Sequence, residues 1–456
     1  VPDVVTYSRC ISVLEKNGEW ERAMGLLDEM VGRGVRPNVV TYNSLVSACG
    51  KGGNWRRAVG LLREMRAAGV EPDGISFNSA IVACSYAGRW KEALALKAEM
   101  CETGSLLPDV LTYNACIAAC GRARQWETAL DLRHDMKMRF VRPDIITFNS
   151  CISACEKCGQ WESAVGIFNE IEKQGLKPDP VSYGALISAL EKGRQWEKAM
   201  EYFVSMKAMG VEPNTFCYNA AISACEKAKQ WERALEILDT VKVADVRPDV
   251  ITFSAAISAM AQGLQSERAF ELFSLMLTLR IRPNAYTFNA LMLVCEKTRD
   301  WARVHRVFEI MARHHVDPDD ITFDIALRTL FASRKFPELL ELFDDIPSFE
   351  LKPRTSWGIL AAQACEALGD WRKAVGVLNR MRVANVPTSP RTFEVVLRLC
   401  ESKDRMGEAV EVERRMRAAL GERAVAATEG EKLRRFKQAR MRQTRPSIKN
   451  LSDEET

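Results

Sequence analysis

Long hydrophobic runs and catalytic motifs are both missing from this sequence. No run of about 18 apolar residues occurs, so the chain is not predicted to span a membrane. It contains no Walker loop and no Gly-x-Gly-x-x-Gly motif. The four histidines are His134, His305, His314 and His315. None of them begins a His-x-Glu signature with a Cys-x-x-Cys pair further along the chain. We therefore predict neither an enzyme nor a bound cofactor.

An excess of one charge is missing as well. The 456 residues include 64 Lys and Arg against 60 Asp and Glu, which gives a net charge of +4. This balance does not by itself indicate a nucleic-acid partner, so only the placement of the cations is informative. The chain begins with Val1 and not with Met, and we expect any targeting peptide to lie outside this sequence.

Disulfides and metal sites are not expected, although the chain has 14 cysteines. Eight cysteines occupy one position of a repeat, and stacked repeats separate equivalent atoms by roughly 10 Å, too far for a disulfide or a shared metal. The pairs Cys155 with Cys158 and Cys116 with Cys120 lack a second pair of ligands. We predict small buried residues in a reducing compartment at Cys49, Cys84, Cys120, Cys155, Cys225, Cys295, Cys365 and Cys400.

One unit of 35 residues recurs along the chain. Prolines mark it, in steps of 35 residues with a single step of 36, at Pro2, Pro37, Pro72, Pro108, Pro143, Pro178, Pro213, Pro248, Pro283, Pro318 and Pro353. Tryptophan keeps this period at Trp20, Trp55, Trp90, Trp126, Trp161, Trp196, Trp231, Trp301 and Trp371. Alanine follows three residues later at Ala23, Ala58, Ala93, Ala129, Ala164, Ala199, Ala234, Ala269 and Ala374. Three columns in register indicate a solenoid of repeated units.

Each unit is predicted to form two helices. The Asp or Asn after each proline suits an N-cap, as at Asp144, and apolar residues at helical spacing follow from Ile145 to Lys157. A turn at Gly159 leads into a second helix that begins at about Trp161 and ends before Gly175. The alanine column lets the two helices approach closely. A methionine column is expected to fill the core at Met30, Met65, Met100, Met136 and Met206.

The fold class that follows is all-α. We predict an α-solenoid, a right-handed superhelix of stacked helix-turn-helix hairpins, over residues 1–420, with a basic tail at 421–456. The last helix, from Gly407 to Leu420, has no successor and is expected to belong to a capping unit. The predicted repeats are 4–38, 39–73, 74–109, 110–144, 145–179, 180–214, 215–249, 250–284, 285–319, 320–354, 355–389 and a degenerate 390–420.

The repeated sequence resembles a known family. Segments such as Pro108 to Cys120 and Pro143 to Cys155 follow the pattern Pro-Asp-Val-x-Thr-Tyr-Asn-x-x-Ile-Ser-Ala-Cys, and Trp-Glu-x-Ala-Leu, Met and Gly-Val-x-Pro come after it. This resembles a plain array of the pentatricopeptide repeat family. The resemblance implies sequence-specific binding of single-stranded RNA, one base per repeat. It also implies a role in processing, stabilising or translating transcripts of mitochondria or chloroplasts, with separate processing enzymes as further partners.

Two polar residues per repeat are the expected base readers. The first follows the aromatic residue that opens each first helix, and Asn there offers the donor and the acceptor that a base edge requires. The alternative is that Asn only favours the helix start, but the Asp or Asn after proline already holds the capping position. In the resembled family the second reader is the Asp or Asn that closes each repeat.

The resemblance implies a reading for nine repeats. It implies uracil for Asn with Asp, at Asn43 with Asp73, Asn78 with Asp109, Asn114 with Asp144, Asn149 with Asp179, Asn219 with Asp249 and Asn289 with Asp319. It implies adenine for Ser8 with Asn38 and Ser254 with Asn284, and a weakly specified adenine for Gly184 with Asn214. Asp324 with Arg354, Ile359 and Glu394 do not fit and are left unread. The expected site is 5′-AUUUU(A)UAU-3′.

An apolar residue stands two positions before each aromatic residue. In the resembled family it packs against the flat face of a base, whereas the alternative is ordinary core at a helix start. Aromatic members are expected to stack most strongly, at about 1–3 kcal/mol per base. The candidates are Val5, Val40, Ile75, Leu111, Ile146, Val181, Phe216, Ile251 and Tyr286, and Ile321 continues the column.

Cations close most first helices, and they are candidates for phosphate contacts: Lys16, Lys51, Arg122, Lys157, Lys192, Lys227 and Lys297. The alternative is that they only complement the helix dipole.

The basic tail adds further cations, which are Lys432, Arg434, Arg435, Lys437, Arg440, Arg442, Arg445 and Lys449. It is predicted to be a solvated extension, a non-specific phosphate contact or a nuclear-import patch.

A protein-binding scaffold is the competing function, because stacked helical hairpins also cradle peptides. The polar pair in each repeat separates the two hypotheses, since peptide recognition gives no reason to keep such a pair in phase. RNA binding is therefore the favoured prediction.

Overall fold

The computed structural model describes residues 2–102, 106–244 and 246–420, and these residues form α-helices, one short 3-10 helix and connecting turns. The basic tail predicted at 421–456 lies outside them. The α-helices are α1 Val4–Asn17, α2 Trp20–Gly32, α3 Val39–Lys51, α4 Trp55–Ala67, α5 Gly74–Tyr86, α6 Trp90–Glu102, α7 Val110–Arg122, α8 Trp126–Met138, α9 Ile145–Cys158, α10 Trp161–Lys173, α11 Pro180–Lys192, α12 Trp196–Ala208, α13 Thr215–Lys227, α14 Trp231–Val243, α15 Val250–Gln262, α16 Ser266–Thr278, α17 Ala285–Thr298, α18 Trp301–Arg313, α19 Asp320–Ala332, α20 Phe336–Asp345, α21 Thr355–Leu368, α22 Trp371–Val383, α23 Pro390–Ser402 and α24 Met406–Leu420.

Capping boxes start most first helices, which are the odd-numbered ones. Asp144 has an extended backbone, with φ −102° and ψ 179°, and its carboxylate accepts the N–H of Thr147 at 2.8 Å. The Thr147 hydroxyl accepts the N–H of Asp144 in return, at 3.2 Å. Such caps satisfy amides that the first helical turn leaves without partners. The same arrangement occurs at Asn38, Asp73, Asp109, Asp179, Asp249, Asn284 and Asp319.

Packing runs from each hairpin to its neighbours. The chain divides into two compact units, Val1–Ala259 and Met260–Thr456. In the first unit α3 packs against α1 and α5, and the same contact continues from α5 through α7, α9, α11 and α13. In the second unit α19 packs against α17 and α21, and α21 packs against α23. Second helices pack on their own first helix and on the next one, as α4 does on α3 and α5.

This nearest-neighbour packing confirms the predicted all-α solenoid. The helix predicted from Ile145 to Lys157 is observed as Ile145–Cys158, and the second helix of that repeat begins at Trp161 as expected. Among the described residues, no helix has both the length and the apolar character that crossing a bilayer requires.

The repeated small residues lie in the core. The cysteine, alanine and methionine columns are buried, with Cys155 and Ala164 completely covered. Burial raises the pKa of the Cys49 thiol to about 11 and that of Cys84 to about 12, so both thiols are protonated at neutral pH. The small side chains of the cysteine and alanine columns let helix backbones approach, and this brings the starts of consecutive first helices next to each other.

Removal of a cap tests this account of the helix starts. We expect Asp144→Ala to destabilise α9 by about 1 kcal/mol, because the amide of Thr147 loses its acceptor. Amide hydrogen exchange in the first turn of α9 should accelerate in this variant. Asp144→Asn is the matched control, since Asn38 and Asn284 cap their own helices in the same way. Equal exchange rates in both variants would contradict the assignment.

Candidate functional site

The predicted reading residues form hydrogen-bonded triads between consecutive repeats. Asn114 Nδ2 donates to Asp144 Oδ1 at 3.0 Å, and Asn114 Oδ1 accepts the Thr147 hydroxyl at 2.6 Å. Asp144 and Thr147 both belong to the next repeat, at the start of α9. The same triad occurs at Asn43–Asp73–Ser76, Asn78–Asp109–Thr112, Asn149–Asp179–Ser182, Asn219–Asp249–Thr252 and Asn289–Asp319–Thr322.

The asparagine side chains in these triads are largely covered. Asn78 is 7% exposed and Asn114, Asn219 and Asn289 are each 8% exposed, while Asn43 and Asn149 are half-buried. One amide proton and one carbonyl lone pair of each side chain are used inside the triad, and one of each remains. The hydroxyl partner was not predicted from the sequence, and the signal for it is the Thr or Ser that stands directly before the aromatic residue in most repeats.

Four carboxylates of the triads have a lowered pKa and are ionised at neutral pH. Partial burial acts to raise the pKa of Asp144, but hydrogen bonds from Thr147 and Asn114 outweigh it and hold this pKa below its ordinary value. The pKa values of Asp73, Asp109 and Asp319 are lowered for the same reasons. Each of these triads therefore keeps a negative charge beside the remaining amide proton.

The apolar column before the aromatic residues is exposed. Its members have between 49% (Phe216) and 64% (Ile75) of their surface accessible, so the alternative of ordinary helix-start core is wrong for this column. In the same helices the aromatic residue two positions later is buried, as at Phe77 and Tyr113. The exposed residues are Val5, Val40, Ile75, Leu111, Ile146, Val181, Phe216, Ile251, Tyr286 and Ile321.

An open pocket joins the apolar column to one triad. Its volume is about 290 Å³, and Ile75 and Leu111 line it together with Asn78 and Asp109. Lys51 also lines this pocket. The largely covered Asn78 therefore still borders open space, between two exposed apolar side chains of consecutive repeats.

The predicted phosphate-binding cations fall into three groups: lysines paired with a carboxylate, one arginine bonded to a hydroxyl, and lysines without an ion pair. Lys192 contacts Glu156 of the preceding repeat at 2.7 Å, and the Ser188 hydroxyl donates to the same carboxylate at 2.9 Å. Lys51 pairs in the same way with Glu15, as Lys227 does with Glu191, whereas Arg122 donates to the Ser85 hydroxyl at 2.7 Å. No carboxylate among the described residues forms an ion pair with three exposed lysines: Lys16, Lys157 and Lys297.

Sequence models of one family match most of the array. The model described as "PPR repeat family" matches residues 2–51, 37–85, 108–157, 143–192 and 179–227. The model "Pentatricopeptide repeat domain" matches 236–298 and 271–330, and "PPR repeat" matches 75–105 and 216–246. The chain belongs to the pentatricopeptide repeat family. The resemblance inferred from the repeated motif is thereby confirmed.

Several solved structures are also similar to this chain, among them pentatricopeptide repeat proteins. PPR10 in complex with an 18-nt psaJ RNA element is 22% identical, with 91% of this chain and 69% of that chain covered and a TM-score of 0.40. PPR10 from maize is 19% identical, with coverages of 94% and 75% and a TM-score of 0.41. Yeast Rmd9p with a 16-nt target RNA is 12% identical, with coverages of 89% and 95% and a TM-score of 0.40. The comparison with curated proteins gives no match. All three TM-scores lie below 0.5, so the family assignment rests on the sequence models.

Several repeats of the pentatricopeptide array depart from the Asn–Asp pair. Ser8 reaches Asn38 through a shared partner, because its hydroxyl lies 2.8 Å from the Thr41 hydroxyl, which in turn bonds Asn38. Ser254 is buried in α15, and Asn284 caps α17.

In the second unit Asp324 takes the place of Asn, and the Trp357 indole N–H donates to it at 2.9 Å. Trp357 therefore supplies the donor that Thr supplies in other repeats. Arg354 pairs with Asp320 at 2.6 Å and forms no cap hydrogen bond with its side chain. Glu394 and Ile359 lie in α23 and α21. No reading is assigned to these last repeats.

Removal of one hydroxyl tests the bond between repeats. We expect Thr112→Val to cost about 1–3 kcal/mol, because the largely covered carbonyl of Asn78 loses its donor. Urea unfolding, together with amide exchange in α5 and α7, measures the loss. Thr112→Ser is the matched control, since Ser76 and Ser182 donate the same bond elsewhere. A valine variant as stable as the serine variant would argue against the cross-repeat bond.

Proposed function

We propose that this protein binds single-stranded RNA sequence-specifically, with one nucleotide in each reading repeat. The observation that carries the proposal is the pocket in which Ile75 and Leu111 flank Asn78 and Asp109. A nucleobase needs two things from such a site, apolar surface for its flat faces and hydrogen-bonding groups for its edge. This pocket offers both, and its components recur with the repeat.

The triads favour base recognition because they fix the orientation of the amide. The Thr112 hydroxyl donates to the carbonyl of Asn78, and the amide nitrogen of Asn78 faces Asp109. A flip of this amide would place its N–H groups against a donor and its carbonyl against a carboxylate. The remaining N–H is therefore held ready in one direction, which lowers the entropy lost on binding.

The proposed target sequence is 5′-AUUUU(A)UAU-3′. The order of bases rests on the family's pairing of reading residues, with RNA running 5′ to 3′ along the chain. Uracil is assigned to the six Asn–Asp pairs, which all form the same triad. The transcript, the organelle and the step of RNA processing rest on family resemblance alone, and they stay predictions.

Phosphate contacts are proposed to be unequal along the array. Lys157 and Lys297 are exposed and not ion-paired with a described carboxylate, so each adds a positive charge to the surface. Lys192 shares its site with the Glu156 carboxylate, which offsets its charge. Because the strength of phosphate binding follows the local net charge, Lys157 should contribute more than Lys192.

A change of specificity tests the proposed function. We expect Asn114→Thr to move the preference at the fourth base from uracil to guanine, so that AUUGUAUAU binds this variant better than AUUUUAUAU. A mismatched base should cost about 1–3 kcal/mol. Fluorescence anisotropy with labelled RNA measures the two affinities.

AUGUUAUAU serves as the matched control RNA, because its guanine faces the unchanged repeat of Asn78. It should stay a weak ligand of both proteins. An unchanged preference at the fourth base would remove the assignment of Asn114. Equal affinity for AUUUUAUAU, poly(A) and poly(C) would contradict sequence-specific binding, and no binding at all would favour the protein-binding scaffold.

Salt dependence tests the two groups of lysines. We expect Lys157→Ala to reduce the slope of log affinity against log salt by about 0.7, the contribution of one phosphate on a single strand. Lys192→Ala should change this slope less, because the ammonium of Lys192 is already paired with Glu156 and neutralises less phosphate charge. Titrations of AUUUUAUAU at several salt concentrations give both slopes. Equal changes of slope in the two variants would show that the ion pair with Glu156 does not weaken the phosphate contact of Lys192.

A further inference from the structure

The sixth repeat keeps only the capping side chain of the triad, and that side chain is Asn instead of Asp. Gly184 occupies the position of the first reading residue, and Cys217 replaces the hydroxyl donor of the following repeat. The Cys217 thiol donates instead to the carbonyl oxygen of Pro180 at 3.2 Å. Asn214 accepts the N–H of Cys217 at 3.0 Å, and its helix start has no capping box of the kind that Asp144 forms with Thr147.

The ring of Phe216 covers the place where a reading side chain would begin. A Cβ atom added to Gly184 would lie 2.6 Å from Cδ1 and 3.1 Å from Cε1 of Phe216, and 3.3 Å from Sγ of Cys217. Phe216 is also the least exposed member of the apolar column, at 49%. The aromatic side chain therefore leans over the glycine, where the first atom of any other side chain would lie.

Comparison with the first repeat shows what is missing. Ser8 keeps a hydroxyl that bonds Thr41, and Thr41 bonds Asn38. Gly184 has no side-chain atom, and Cys217 has no hydroxyl to relay a bond to Asn214. The chain of polar contacts that connects the two reading positions is therefore broken at Gly184 and again at Cys217.

We propose that the sixth repeat is a non-reading repeat that holds its nucleotide by stacking on Phe216 and accepts any of the four bases. This inference rests on the proposed RNA-binding function and changes its target to 5′-AUUUUNUAU-3′. Stacking tolerates every base because each has a flat π face. Discrimination needs edge contacts of fixed direction, and here Gly184 offers none while the exposed Asn214 has no triad to orient its amide. The sixth nucleotide thus separates a block of five read bases from the block that follows.

Two sets of RNA test the proposal on the unmodified protein. The first set carries each of the four bases at position six, and the second carries each of them at position five, opposite Asn149 and Asp179. We expect affinities within about threefold of one another in the first set. In the second set every base other than uracil should weaken binding roughly 5- to 150-fold.

The two sets separate this inference from the proposed function. Selectivity at position six as strong as that at position five would overturn the non-reading repeat and leave the proposed function intact. Indifference at both positions would remove base reading altogether, and this inference with it.

Reconstruction of the triad gives a second test. Gly184→Asn alone is expected to clash with Phe216, so it is combined with Phe216→Val, Cys217→Thr and Asn214→Asp. The fourfold variant should gain a preference for uracil at position six of roughly 5- to 150-fold. The control carries the other three changes but retains Gly184, and it should stay indifferent. A folded fourfold variant without this preference, as judged by its circular dichroism, would contradict the proposal.

Discussion

The hydrogen bonds between each first-helix asparagine and the next repeat are the contacts on which the candidate site depends. Asn114 reaches Asp144 and Thr147, and these two residues also start α9. The same side chains therefore cap a helix and join two hairpins, and their counterparts Asn78 and Asp109 also line an open pocket. Because these roles share one set of side chains, the spacing between successive reading positions is fixed by the packing of the first helices and not by flexible side chains.

This sharing of roles by one set of side chains explains which features could be predicted from the sequence. The helix starts and ends could be predicted because capping and turn formation depend only on residues close to each helix end. The bounds of α9 and α10 were predicted within a residue or two. The function of Thr147 was not predicted, because a capping box already accounts for a threonine at that position. A second role across the repeat leaves no separate mark in the sequence.

The ion pairs of the lysine column were hidden for a different reason. Glu156 and Lys192 are 36 residues apart, and only the stacking of α9 on α11 brings their side chains together. The covering of Gly184 by Phe216 likewise depends on how two first helices approach each other. A glycine in the sequence shows that a side chain is missing, but it does not show which neighbour fills the space. The repeated pattern and the family resemblance thus predicted which positions would read bases. Whether each position holds a complete triad could be seen only in the structure.

The buried cysteine column has a consequence for how the array is studied. Each of its thiols is covered, and burial raises the pKa of Cys84, Cys295 and Cys365 to about 12. Only a thiolate reacts quickly with alkylating reagents, so such a cysteine is labelled when its hairpin separates from its neighbours and solvent enters. The protein thus carries a natural probe of local opening in most of its repeats. Labelling rates compared along the chain would show which hairpins separate most often from their neighbours.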